Sequence, residues 1–108
     1  MSETVIRAGN GVVLINVFTV APELQQTLID LWQRATDDVM RHMPGFISAN
    51  LHRSLDGTKV VNYAQWESME AFNAMRQHPT SGEHVKALAE IGASAPILCE
   101  VVSIHSAS

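Results

Sequence analysis

Val60-Val61-Asn62-Tyr63-Ala64-Gln65-Trp66-Glu67-Ser68 is the stretch on which the fold turns. Its β-branched and aromatic residues read as one β-strand. Strand side chains alternate between faces. Val60, Asn62, Ala64 and Trp66 therefore share one face, and Val61, Tyr63, Gln65 and Glu67 the other. Asn62 and Trp66 stand roughly 13 Å apart along the strand, and the small Ala64 between them leaves open space. An amide and an indole N–H facing such a gap suit a flat, oxygenated organic molecule. The same residues also suit plain packing, since a strand Trp is often core and a buried strand Asn is often a satisfied amide.

Working outward, Leu55-Asp56-Gly57-Thr58 carries the Asp-Gly hairpin signal. It joins this strand, Lys59 to Glu67, to an antiparallel partner from Phe46 to Ser54. Ile47, Ala49 and Leu51 are expected on one face of that partner, with Ser48, Asn50 and His52 on the other. Upstream, Val12 to Val20 is an apolar, β-branched run, a buried strand interrupted by Asn16. Pro22 suits a first helical position. Leu24, Leu28, Leu31, Ala35 and Val39 then recur on one helical face until Pro44-Gly45 stops the helix near Met43. Downstream, Ser68 is placed to cap a helix through Met69, Phe72 and Met75. His78-Pro79 interrupts that helix, and Thr80-Ser81-Gly82-Glu83 has capping-box spacing for a further piece through Val85, Leu88 and Ile91, ended by Gly92. A last strand is expected from Ile97 to Ile104, after Pro96. Residues 1–10 read as a polar arm and His105 to Ser108 as a polar tail.

The order strand, helix, strand, strand, helix, strand is the split βαβ plan: one α+β domain over residues 1–108, with a four-stranded antiparallel sheet and helices on one face. The other face, with Val61 and Tyr63, needs cover, and a two-fold homodimer supplies it.

Composition narrows the function classes. The formal net charge is −4 with no basic cluster, which argues against nucleic acid as a partner. Met1-Ser2-Glu3-Thr4 does not open a signal peptide, and no apolar run reaches membrane-spanning length, so a cytoplasmic protein without a membrane partner is expected. The single Cys99 lies in an apolar run and reads as a small core residue. The histidines, His42, His52, His78, His84 and His105, show no metal-ligand spacing, and no phosphate loop or dinucleotide fingerprint is present. His42 and His78 sit where helix ends favour positive charge. His52, in mid-strand, is in reach of a cavity or of a subunit interface.

Pro44-Gly45-Phe46-Ile47-Ser48-Ala49, Asp56-Gly57-Thr58 and the run Val61 to Ser68 together resemble the antibiotic biosynthesis monooxygenase family. The resemblance covers nearly the whole chain and is densest over residues 44–72. It is strongest to the small members that oxidise anthrone-type aromatic polyketides to quinones. It implies dimeric α+β barrels of ferredoxin-like subunits that use molecular oxygen with no flavin, haem or metal. It also implies that Asn62 and Trp66 are catalytic, with His52, Phe72, Asn16 and Lys86 as candidate substrate-binding residues. Phe72 stands where the quinone-forming relatives carry a Tyr, and Lys86 and Val85 fall near the position of their Arg, which has no equivalent here. Two alternatives stay open. Haem-degrading relatives use an Asn in the first strand and a His late in the chain, positions near Asn16 and His84, although Met75 stands where their Trp is expected. A dimer that binds a ligand without catalysis is the other.

Overall fold

The computed structural model describes residues 3–9 and 11–107. Four strands form one sheet: β1 (Val12–Thr19), β2 (Phe46–Arg53), β3 (Lys59–Trp66) and β4 (Ala93–Cys99). Their order is β2-β3-β1-β4, all neighbours antiparallel. Helices α1 (Gln25–Asp38), α2 (Met69–Gln77) and α3 (Pro79–Ile91) complete the split βαβ architecture. It is the ferredoxin-like α+β fold that the element order predicts.

Period-two patterning places Phe18, Val60, Ala64 and Trp66 in the core with the helices. Helix α1 turns toward them Leu28, Ile29, Trp32 and Ala35, all buried. This face is rotated from the expected one: Leu24 is exposed and Trp32 is central. The helix is also shorter than expected. A 3-10 turn over Pro22–Leu24 precedes it, and a second over Met40–His42 follows a break at Val39, where φ is −127°. His42 Nε2 hydrogen-bonds the Asp37 carbonyl at 3.0 Å across that break.

Ser68 caps α2, its Oγ accepting from Ala71 N at 3.1 Å. The cap of α3 is not in the Thr80–Glu83 box. His78 Nδ1 accepts from Thr80 N at 3.2 Å, with Pro79 in the first turn, so one residue ends α2 and starts α3.

Two strand expectations fail at irregularities. The pairing of β2 with β3 shifts between Phe46 and Ser48, so Phe46 faces the helices opposite Trp66 and Ile47 is turned out to solvent. Strand β4 runs from Ala93 and contains Pro96 rather than following it, while residues 100–104 lie beyond the strand. An edge strand tolerates proline because half of its backbone groups have no ladder partner to lose.

On the far face of the sheet, Ser48 Oγ donates to Gln65 Oε1 at 2.8 Å, and Gln65 Nε2 donates to the Val5 carbonyl at 3.1 Å. The N-terminal arm is thus laid across part of that face; residues 1, 2 and 10 of the expected arm, and Ser108 of the tail, fall outside the described residues. Gly11, at φ +66°, lets the chain enter β1 hard against the Trp66 carbonyl, where a Cβ would not fit. Among the described residues no helix is long and apolar enough to cross a membrane.

Candidate active site

A cavity of about 420 Å³ lies between the sheet and the helices, within the usual span of ligand pockets. Strand register lays out its floor in rows. Asn62 of β3 is paired directly with Asn16 of β1, and Asn16 in turn with Pro96 of β4. The next row runs Ala49, Ala64, Leu14, Leu98. The third brings Trp66 beside Phe46, their rings edge-to-face at 5.4 Å. The two alanines in the middle row keep the floor low between the amides and the indole, as the alternation around Ala64 predicts.

Helices supply the walls. Phe72, Met75 and Arg76 descend from α2, Trp32 and Thr36 from α1, and Leu88 from α3. Phe72 is buried and meets Trp66 edge-to-face at 6.3 Å. Gly45, at φ +84°, permits close approach of the chain entering β2 to Ala71 and so seats α2 over this end of the sheet.

Asn62 is 6% exposed, and its Oδ1 has no hydrogen-bond partner; Asn16 Oδ1 is likewise buried and unpartnered. Buried amides are nearly always paired, and an unmade hydrogen bond of this kind costs about 1–3 kcal/mol. Both residues line the cavity, and two unmade bonds on facing positions mark a place prepared for a polar group on a ligand. Cross-strand partners bring their Cβ atoms to roughly 4.5–5.5 Å, close enough for both amides to address one substrate edge.

Apart from Arg76 and the hydroxyls of Thr36 and Ser94, the walls are apolar. Among the described residues that line the cavity there is no carboxylate, imidazole, amine, thiol or phenol, and Arg76 is the one charged group. No side chain there is placed to take up a proton as a general base. Nor do three or more His, Cys, Asp or Glu residues cluster for a metal anywhere among the described residues.

Of the residues singled out from sequence, Asn62, Trp66, Phe72 and Asn16 meet at this cavity. His52 and Lys86 do not. His52 is exposed on the far face of the sheet, its Nδ1 3.0 Å from the Asn50 carbonyl, because strand parity sends position 52 away from the helices. Lys86 is exposed on α3, one position beyond Val85, which does line the cavity. A helix turns about 100° per residue, so the neighbouring position faces elsewhere. His84 is also off the cavity lining, while Met75 is on it, so no histidine stands ready for a haem iron there. Sequence reasoning missed Arg76. Its spacing of four from Phe72 was the available signal, since positions four apart share a helix face.

Known proteins resemble this chain along its whole fold. The pattern of the antibiotic biosynthesis monooxygenase family matches residues 11–88. The tetracenomycin-F1 monooxygenase of Streptomyces glaucescens is 46% identical over 95 residues, covering 88% of this chain and 85% of that protein. The monooxygenase from the gene ActVA-Orf6 of Streptomyces coelicolor, solved in complex with nanaomycin D, superposes with a TM-score of 0.80. It is 34% identical, covering 92% of this chain and 94% of its own. SnoaB of Streptomyces nogalater, a cofactor-independent oxygenase, superposes with a TM-score of 0.75 at 25% identity, covering 89% of this chain and 97% of its own. This chain belongs to the antibiotic biosynthesis monooxygenase family and is a monooxygenase.

Proposed function

We propose that the enzyme oxidises a flat phenolic, anthrone-type polyketide to the corresponding quinone with molecular oxygen and no cofactor. The observation that carries this reading is the facing pair Asn16 and Asn62, two amides with buried, unpartnered oxygens in the lining of a largely apolar cavity. A ring ketone flanked by a phenol offers both an acceptor and a donor to such a pair.

The chemistry balances without help. The ring methylene loses a proton to give an enolate. The enolate passes an electron to oxygen, the two radicals combine on carbon, and protonation gives a hydroperoxide. Loss of water leaves the carbonyl. One oxygen atom ends in the quinone and the other in water, and the substrate supplies all the electrons. The protein's part is to favour the enolate, hold the ring and exclude bulk water. Asn62 and Asn16 donate to the oxygen on which charge develops, the Trp66 indole N–H serves a second ring oxygen, and Phe72 packs against the ring face. With no base among the described residues that line the cavity, the released proton goes to water at its mouth.

We also place a second copy of the chain against the far sheet face. Val61, Tyr63, Ile15 and Val17 are only half-buried there, and Ile97 is 55% exposed, an apolar surface that pairing would cover. His52 lies on this face. The single cysteine, free in the structure, suits a reducing compartment, and we place the reaction in the cytoplasm.

The test is direct. Purified protein, treated with chelator and given no flavin, is incubated with an anthrone in air. Quinone absorbance should rise with one oxygen consumed per product, and labelled oxygen gas should leave one labelled atom in the quinone. Quinone formation no faster than in buffer overturns the reading. Light scattering should report a dimer at micromolar concentration; a stable monomer would remove the second copy.

A further inference from the structure

Arg76 is the only charged side chain among the described residues that line the cavity, and its setting is specific. It lies in the last turn of α2, and its residue is exposed at the mouth. The guanidinium carbon nevertheless stands 5.8 Å from the centre of the Phe72 ring, one turn back along the helix. Side chains on a helix lean toward its N-terminus, and an aromatic face attracts a cation, so Phe72 holds the group over the opening. No carboxylate neutralises it. The positions three and four away on the helices, Phe72, Asn73, Pro79 and Thr80, carry no acid, and the one ion pair among the described residues is Arg41 with Asp37.

We propose that Arg76 makes the enzyme selective for substrates that carry an anionic oxygen group, a carboxylate or an ionised phenol, at the end of the ring system remote from the amide pair. The inference rests on the oxygenase reading for its ring system. It adds which member of that class is taken. The geometry separates the two ends. Asn62 and Trp66 are roughly 13 Å apart along β3 by strand rise, about the length of a few fused rings. The guanidinium is joined through Phe72 to Trp66, which stands at the far end of that span from Asn62. A substrate bridging the cavity thus has its reacting ketone at one end and the cation at the other. The guanidinium fork matches a carboxylate in two parallel hydrogen bonds. The chain carries a formal net charge of −4, so its overall field opposes an anion, and one uncompensated cation at the mouth determines whether an acid is admitted.

The experiment compares an anthrone carboxylic acid with its methyl ester and with the ester's phenol methyl ether. Wild type should prefer the acid to the ester by about tenfold in kcat/KM, as expected for one charge-assisted, partly solvated pair. In Arg76→Gln that preference should vanish, through KM rather than kcat. Arg76→Lys should restore part of it, because the charge returns without the fork. Lys86→Gln should keep it, since Lys86 lies off the cavity. If the ionised phenol is the group read, the ester should outrun its ether, and only as pH rises through the phenol's own ionisation. Binding is also read without turnover, under argon, from quenching of Trp66 and Trp32 fluorescence. If no compound is oxidised faster than in buffer but the acid binds better and Arg76→Gln erases the difference, selection by Arg76 stands and the oxygenase reading falls. If the compounds are oxidised and bound alike, or if Arg76→Gln keeps the wild-type preference, the role of Arg76 is overturned and the oxygenase reading stands.

Discussion

At the hairpin end of the sheet, Phe18 of β1 and Val60 of β3 are roofed by Leu28, Ile29 and Trp32 of α1, with Phe18 and Trp32 edge-to-face at 4.7 Å. At the other end of the same two strands, Leu14 and Ala64 look into the cavity beneath α2. Backbone pairing is the same at both ends, and so is strand parity. What differs is side-chain volume. Leu28, with no exposed surface, drops into the space over Val60, whereas nothing of that size fills the space over Ala64 and Ala49. Between the two ends lie Asn16 and Asn62. The closed end holds the fold, and the open end keeps a void and two unpaired amides, features that lower stability and are retained where a ligand needs them.

The largest effect should come from exchanging the two conditions. Leu28→Ala opens a void in the closed end and should lower unfolding stability by about 3 kcal/mol. Ala64→Leu fills the open end. Since the added methylenes enter an existing cavity, stability in urea should hold or rise, while substrate binding is lost. Comparable destabilisation by both would mean that the cavity closes in solution, and the contrast between the ends would disappear.

Next is the boundary. Asn62→Ala and Asn16→Ala should each reduce kcat about a hundredfold, the usual loss on removing one donor to a developing oxyanion. Neither should lower the melting temperature appreciably, because the side-chain oxygens have no protein partner to lose. Trp66→Phe should also slow turnover while keeping the edge-to-face contacts with Phe46 and Phe72. If these variants unfold, the amides and indole belong to the packing, like their neighbours at the closed end.

A smaller gain is expected from Phe72→Tyr, which returns the phenol of the quinone-forming relatives to an open end whose described lining carries no acid or base. Quinone formation should rise about tenfold, short of the ~100-fold of a fully positioned proton donor. No change would show that proton transfer to a side chain does not limit the rate.

Local signals were legible in sequence at both ends. Alternation at Val60, Asn62, Ala64 and Trp66, the Asp56-Gly57 turn and the Ser68 cap are local signals, and local chemistry decides them. The open end depends on partners that no local pattern names. The irregular pairing that turns Phe46 in and Ile47 out arises from the register of β2 on β3, not from β2 alone. From sequence Pro96 reads as preceding the last strand, because only the strand order shows that β4 is an edge. Facing of Asn16 and Asn62 is likewise a register fact, set by the pairing of β1 with β3 and not by either strand alone. Arg76 escaped notice because a long side chain from an exposed position reached the cavity mouth by bending over Phe72.

The two ends also differ in how they should respond to acid, and this is the smallest effect. In the hairpin, Asp56 Oδ1 accepts from Thr58 Oγ1 at 2.7 Å, from Thr58 N at 3.0 Å and from Ser54 Oγ at 2.8 Å. These bonds, that from the Thr58 hydroxyl first, hold its carboxyl at about 2, below the ordinary 3.8. A lowered value means that the folded turn prefers the ionised form, while the unfolded chain takes up a proton sooner. The turn's contribution is therefore complete above about pH 4 and fades as pH falls toward 2. Asp56→Asn should be slightly less stable than wild type in urea at pH 7, and the two should converge near pH 2.5. The group is fully exposed, so the difference will be small and salt-sensitive. At the open end, where the described lining carries no titrating acid or base, kcat between pH 5 and 9 should follow only the substrate's own ionisation. A kcat profile that keeps the same inflection across substrates of different acidity would place a protein acid or base at the reacting carbon. It would end the view of the open end as a cavity that works by shape, two amides and one cation.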